Sequence, residues 1–344
     1  MERIFYDFFL TVLLAFFLFW NIIAANLVGR GEISVKSKVY SIFVLCFLFF
    51  FSSDCRLMKR KKTVPATDFI TETLELQGKT RSYHIHYPQN KAVVEKKLPL
   101  LFVLHGRLGT GRQIMEQSRF NDLADEEGFI VVYPDGYSRS WADGRGNTPA
   151  DREKINDVLF LETVLQNLIR KGSVDPSRVF MVGHSNGGFM TQRMSVDRSS
   201  LFKGTASVAA QLSIAVLKNG EPSSPLSVAL FSGTGDPLVP YYGGYVRDGG
   251  EIIGAEDTID RWKKWNRCSD SVVVSEKDTS DDGTSLEIRT YSTCAKGTKV
   301  RLYKIKEGGH AWPGQKQNVP FVDMGKPTYE LDAAKEVWEF FKSL

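Results

Sequence analysis

The chain reads as an α/β protein with a mainly parallel central sheet flanked by helices, and three observations predict it. Short apolar runs with strand character alternate along the sequence with longer segments of helical period. The strand-like run 179–182 opens directly into Gly183-His184-Ser185-Asn186-Gly187 and then into a helical pattern over 186–198. Several of the apolar runs are hydrophobic at consecutive positions rather than at every second one, as strands covered on both faces are.

In chain order, 67–76 and 80–87 alternate as half-buried strands do, and 98–104, 129–133, 179–182, 204–209, 226–232 and 299–305 supply the central sheet. The intervening helical patterns are clearest at 113–127, 157–170, 255–265 and 329–341. The stretch 138–154 is polar and contains glycine, and is expected to be a mobile loop over the site. No internal repeat or low-complexity tract interrupts the pattern.

The five residues around Ser185 carry chemistry. A serine hydroxyl is a weak nucleophile that must stand on a sharp strand-to-helix turn, and flanking glycines keep Cβ atoms out of the neighbouring backbone. The helix that follows aims its N-terminal N–H groups at the same point, where an oxyanion would form.

On the fold that uses such a turn the catalytic groups follow in the order serine, acid, histidine, and His310 is the only histidine downstream of Ser185. It sits in the glycine- and proline-rich loop Glu307-Gly308-Gly309-His310-Ala311-Trp312-Pro313-Gly314. The other histidines, His84, His86, His105 and His184, are read as structural.

The acid is less constrained, because Asp248, Asp257, Asp260, Asp270, Asp278, Asp281 and Asp282 also lie between serine and histidine. Asp236 is preferred, since it alone directly follows a buried-looking strand, 226–232, at the strand end where parallel sheets place functional groups. The oxyanion hole is assigned to the N–H of Asn186 and to an N–H of the loop His105-Gly106-Arg107-Leu108-Gly109, with Arg107 first and Leu108 second. Trp141, Tyr241 and Trp312 are candidates for a flat apolar platform that contacts substrate.

These residues together resemble the secreted serine esterases grouped with polyhydroxybutyrate depolymerases, feruloyl esterases and acetylxylan esterases. The resemblance runs over about 71–344. It rests on His105-Gly106, Val132-Tyr133-Pro134-Asp135-Gly136 with Trp141, Val174-Asp175-Pro176-Ser177-Arg178-Val179, the segment 183–188, 233–240 with Gly243-Gly244, and Gly309-His310-Ala311-Trp312-Pro313-Gly314.

It implies an α/β-hydrolase fold and hydrolysis of carboxylic esters through Ser185, Asp236 and His310, without a cofactor or metal. Arg107 and Leu108 depart from the small residues or cysteine usual in the oxyanion loop, as does Asn156-Asp157-Val158-Leu159 where a glycine is common. Both departures bear on the acyl pocket rather than on the reaction class. A serine peptidase on the same fold and a non-catalytic polymer-binding relative are the alternatives. The first would bring an added domain for which no segment is long enough, and the second would be expected to lack part of the triad.

With 44 basic and 40 acidic residues the formal charge is +4, without a dominant basic patch, so nucleic acid is not expected as a partner. The expected partner is an ester substrate, whether a small molecule, a polysaccharide or a polyester.

The N-terminus stands apart from the fold: 1–54 is a hydrophobic signal or anchor region, 55–66 a linker, and 67–344 the catalytic domain. The run 39–51 has the length of a signal-peptide core, follows Lys36 and Lys38, and leads into Ser52-Ser53-Asp54-Cys55. That resembles a loose bacterial lipobox with Cys55 as the lipidated residue, although Asp54 stands where a small residue is usual, and the expectation is translation starting near Val35 and an exported, lipid-anchored product. The alternative is a membrane anchor over 8–25. Lys59-Arg60-Lys61-Lys62 is read as a solvated linker. With Cys46 removed and Cys55 lipidated, Cys268 and Cys294 remain, and the resemblance implies a disulfide between them.

Overall fold

The computed structural model describes residues 69–89, 97–315 and 322–344. The expected signal core, Cys46, Cys55, the linker and the segment 8–25 lie outside the described residues.

Ten strands form one sheet in the order β1-β2-β4-β3-β5-β6-β7-β12-β11-β10. They are β1 (Ile70–Leu76), β2 (Lys79–His86), β3 (Leu98–Leu104), β4 (Ile130–Pro134), β5 (Val174–His184), β6 (Gly204–Val208), β7 (Ser227–Gly233), β10 (Val273–Lys277), β11 (Ser285–Tyr291) and β12 (Val300–Lys306). The six central strands from β4 to β12 pair in parallel, and antiparallel strands close both edges. A separate hairpin is made by β8 (Gly243–Tyr245) and β9 (Glu251–Ile253).

Period-2 alternation explains the uninterrupted apolar strands. In β3, Leu100, Phe102 and Leu104 enter the core on one face while Leu101 and Val103 enter the core on the other. The first face is covered by α4 (Asp157–Arg170) and α7 (Ala255–Trp265), the second by α1 (Gly111–Ser118), α2 (Phe120–Glu127) and α8 (Ala333–Lys342). Helix α4 starts where the Asn156 side chain accepts from Leu159 N–H, and it buries Val158, Leu161, Val164, Leu165 and Leu168 as one stripe. In α8, capped by Asp332, Trp338 stacks on Phe129 and Phe341 on Phe180. Among the described residues no helix is long and apolar enough to cross a membrane.

Three expectations need correction, and one hairpin has no counterpart among them. The segment 113–127 is two helices, because Arg119 takes a left-handed conformation (φ 59°) that ends α1 and starts α2. The last helix begins at Ala333, not at 329, since Asp332 caps it. The hairpin β10–β11 was not read from the sequence, and it extends the sheet beyond β12.

The stretch 138–154 is not a loose loop. Trp141, Asp143, Thr148 and Ala150 are fully buried, and the short helix α3 (Pro149–Arg152) starts from a capping box between Thr148 and Asp151. Its polar residues are buried because they satisfy one another, with Thr148 Oγ1 donating to Trp141 O and Asp151 N–H donating to Thr148 Oγ1.

Candidate active site

Strand β5 delivers Ser185 to the C-terminal edge of the sheet, and α5 (Asn186–Asp197) leaves directly after it. Ser185 has φ 54° and ψ −121°, a conformation that L residues rarely hold, and its N–H donates to Val208 O at 2.8 Å. The strained turn closes only with glycine on both sides: a Cβ on Gly183 would collide with the Gly187 carbonyl, and one on Gly187 with the carbonyls of Leu104 and His105.

Three side chains from three separate loops converge here. His310 Nε2 is 2.8 Å from Ser185 Oγ, and His310 Nδ1 is 2.7 Å from Asp236 Oδ2. A carboxylate only accepts, so Nδ1 carries the proton toward Asp236 and Nε2 is left to face the serine hydroxyl. Asp236 follows β7 within a tight turn, and its other oxygen accepts from the N–H groups of Leu238 and Val239 at 2.8 and 2.9 Å. The loop after β12 that carries His310 is fixed by His310 N–H to Met324 O and Gly309 N–H to Lys326 O, each at 2.7 Å.

His184 is a site residue that the sequence reading assigned only to structure. It is buried beside the elbow, and its Nε2–H donates to the backbone carbonyl of His310 at 2.8 Å. Burial, helped by the neighbouring His310, pushes its pKa down to about 4, so the ring is neutral and the tether carries no charge. His105, at the end of β3, is also neutral, with burial lowering its pKa to about 4. It donates from Nδ1 to Gly106 O and accepts at Nε2 from Gly136 N–H, which fixes the following loop. A chain-order argument has no means of finding either role, because both depend on where a ring nitrogen points.

The loop Gly106–Gly109 lies against the elbow, since a Cβ on Gly106 would touch His184 O and Ser185 Cβ at 3.4 Å. Leu108 N–H is taken up by Arg139 O at 2.8 Å, so the second-choice oxyanion donor is unavailable for substrate. The N–H groups of Arg107 and Asn186 carry no hydrogen bond among the described residues. The Asn186 side chain is held on both sides: its Oδ1 accepts from Trp141 N–H at 2.8 Å, and its Nδ2 donates to Asp143 Oδ2 at 2.6 Å.

The aromatic platform is not where it was expected. Trp141, Tyr241 and Trp312 are each at least 98 % buried and offer no open face to a substrate. Trp141 donates from Nε1 to His105 O, Tyr241 donates to Glu256, and Trp312 packs edge-on against Phe120 and His184, so all three serve as walls behind the catalytic loops. The large exposed apolar side chains on these loops are instead Leu108, Tyr242 and Tyr245.

Cys268 and Cys294 are joined in a disulfide with an S–S distance of 2.00 Å. It links the segment after α7 to the segment after β11, the strand paired with the one that leads to His310. Among the described residues no group of three or more His, Cys, Asp or Glu side chains is arranged to hold a metal ion.

Comparison with known proteins agrees with this architecture. Residues 117–229, which contain the elbow, match the model of the prolyl oligopeptidase family. An esterase by name, NocK of Nocardia uniformis subsp. tsuyamanensis, is 27 % identical over 75 % of this chain and 77 % of its own length. Feruloyl esterase B of Piromyces equi is 30 % identical over 66 % of this chain, which spans only 42 % of that protein. The solved acetyl xylan esterase from Aspergillus awamori superposes with a TM-score of 0.52 at 14 % identity, over 80 % of this chain and all of that one, and shares the fold. By its sheet and its nucleophile elbow the chain has an α/β-hydrolase fold, and in sequence it is similar to proteins named as esterases.

Proposed function

We propose that the protein hydrolyses carboxylic esters through an acyl-enzyme on Ser185. The observation that carries this reading is the hydrogen-bonded row Ser185 Oγ, His310 Nε2, His310 Nδ1, Asp236 Oδ2, closed at 2.8 and 2.7 Å.

In this reading Ser185 Oγ attacks the ester carbonyl as His310 Nε2 takes its proton, and Asp236 keeps the ring in the correct tautomer and stabilises the imidazolium. The tetrahedral oxyanion is held by the N–H groups of Asn186 and Arg107. His310 returns the proton to the leaving alcohol, then activates a water that releases the acid and frees Ser185.

The substrates proposed are feruloyl or acetyl esters of polysaccharides, in keeping with the names of two of the similar proteins, and hydroxyalkanoate esters such as hydroxybutyrate oligomers. We place the enzyme outside the cytoplasm or at the cell envelope, with lipidation at Cys55 as the proposed anchor and an N-terminal membrane span as the other means of anchoring.

The test is hydrolysis of short p-nitrophenyl esters by the full chain and its loss in Ser185→Ala, followed by methyl ferulate, acetylated xylan and hydroxybutyrate oligomers side by side. The match to the prolyl oligopeptidase model gives the peptidase reading a hearing, and turnover of a peptide panel with no ester turnover would replace the esterase by it. Unchanged ester turnover in Ser185→Ala would remove the nucleophile assignment.

A further inference from the structure

One charged chain in the core is not used by the triad. Asp143 has no exposed surface and receives the guanidinium of Arg145 on both carboxylate oxygens, from Nη2 at 2.8 Å and from Nε at 3.1 and 3.2 Å. The third nitrogen of that fork, Nη1, turns to Asp248 Oδ1 at 3.1 Å and to Gly249 O at 2.9 Å, while the plane lies 3.8 Å over the ring of Phe189. Asp248 spends its other oxygen on Arg107 Nη1 at 2.9 Å, and Asp143 accepts from Asn186 Nδ2 at 2.6 Å. The chain therefore starts at Arg107 and ends at Asn186. These are the two residues whose free N–H groups are assigned to the oxyanion.

Such a chain is costly to build, because buried charges give up hydration that their mutual attraction only partly returns. Burial works against the charge of Arg145, but the carboxylates of Asp143 and Asp248 outweigh it and raise its pKa above the usual value. A planar fork with donors on three nitrogens can join two carboxylates and a carbonyl in one geometry, which a lysine ammonium cannot do. Oxyanion stabilisation in turn depends on donors fixed before the charge appears. The two donors come from loops 79 positions apart in the sequence that leave the paired strands β3 and β5, and beyond the Leu104–Gly183 pair no backbone hydrogen bond among the described residues joins the two loops.

We infer that Asp143, Arg145 and Asp248 are positioning residues that set the spacing between the Arg107 and Asn186 N–H groups, so that the oxyanion hole is held from behind by one continuous ionic bridge. The inference rests on the esterase reading and names how that same site is kept in register. The members of the bridge act in series, so one break anywhere removes its share of the spacing, leaving the link through Trp141 to Asn186 and His105 O, and a second break adds little.

The experiment is the rate of Ser185 labelling by a fluorophosphonate, whose phosphoryl oxygen would occupy the same two donors as Ser185 Oγ displaces fluoride. Labelling is measured in wild type, Asp143→Asn, Asp248→Asn, the double variant and Arg107→Gln, with thermal melts alongside. In each single variant the maximal labelling rate is expected to fall about ten-fold, less than the loss of a whole donor would cause. The half-saturating probe concentration should stay within about two-fold, and the double variant should resemble the singles. A purely structural role would lower the melting temperature and leave the maximal rate of the folded fraction unchanged.

Folded single variants that label at the wild-type rate overturn the bridge, and so does a double variant whose losses multiply to about a hundred-fold. Should Asp143→Asn not fold, Asp248→Asn and Arg107→Gln cut the half-exposed end of the chain, and wild-type labelling in both overturns the proposal. A wild type that is not labelled at all overturns the nucleophile assignment and the bridge together, whereas a labelled wild type with unaffected variants overturns the bridge alone.

Discussion

Acidification should destabilise this protein from about pH 6.5 downward, beginning well above the range in which carboxylates titrate, through His105 and His184. Each ring is buried and neutral, and each folded-state pKa stands at about 4 against an ordinary value of 6.5. For His105 the cost of a second proton is visible in the contacts, because Nε2 already accepts from Gly136 N–H and would lose that bond on protonation. The unfolded chain takes up these protons near pH 6.5 and the folded chain only near pH 4. Their contribution is therefore complete above the unfolded value, shrinks as pH falls through the window from 6.5 to 4, and is gone below it.

A shift of that size corresponds to about 3 kcal/mol for each ring, or roughly 6 kcal/mol together. That is a large share of the roughly 5–15 kcal/mol by which a domain is stable. Near pH 5 the slope should be about 2 kcal/mol per pH unit. Denaturant melts at fixed ionic strength between pH 7.5 and 4.5 measure it directly, and His184→Gln, which keeps a donor for His310 O, should halve it. A stability that stays flat from pH 7 to 4.5, or a slope that His184→Gln does not change, would refute the assignment of neutral buried imidazoles.

Three further outcomes follow from the site and its supports. Asp236→Asn removes the charge that orients His310 while keeping the side-chain shape, and should lower kcat for p-nitrophenyl esters by about 10³- to 10⁴-fold with little change in melting temperature. Reducing Cys268–Cys294, which closes a separation of 26 residues, should cost about 3 kcal/mol and be read as a lower denaturant midpoint. Gly183→Ala forces a methyl group into the Gly187 carbonyl, so soluble protein should be lost or recovered without ester turnover.

The parts legible in the sequence share one physical cause. Strands buried on both faces must be apolar at successive positions, so β3, β4, β5 and β7 stand out from composition alone. Their order then points to the loops on which Ser185, Asp236 and His310 sit. The hairpin β10–β11 escapes this logic: every residue of β10 is exposed, and the strand exists because β11 offers it hydrogen-bond partners, not because it buries a face. The break at Arg119 hides for a related reason, since the apolar period runs on through it while one residue adopts a left-handed turn.

The stretch 138–154 and the three aromatics differ from expectation for the opposite reason, because polarity does not entail exposure and aromatic character does not entail contact with substrate. Asp143 and Arg145 are polar and fully enclosed, while Trp141 and Trp312 are aromatic and buried. Polar groups go inside when their partners go with them, and partners of this stretch are scattered over 105, 186, 193 and 248–249, far beyond any local window.

The catalytic face is consequently held together by polar bonds whose members are distant in sequence. His184 ties the elbow to the loop of His310, and His105 ties the end of β3 to Gly136 after β4. A neutral ring suits His184 because an imidazolium there would add a fixed positive charge with its centroid 5.2 Å from that of His310, the group that becomes cationic in the proposed reaction. A neutral imidazole orients the loop through one directed hydrogen bond without that repulsion. On the proposed oxyanion side the charges of Arg107, Asp248, Arg145 and Asp143 alternate in sign, so in that reading the N–H groups of Arg107 and Asn186 rather than a net ionic charge meet the developing oxyanion.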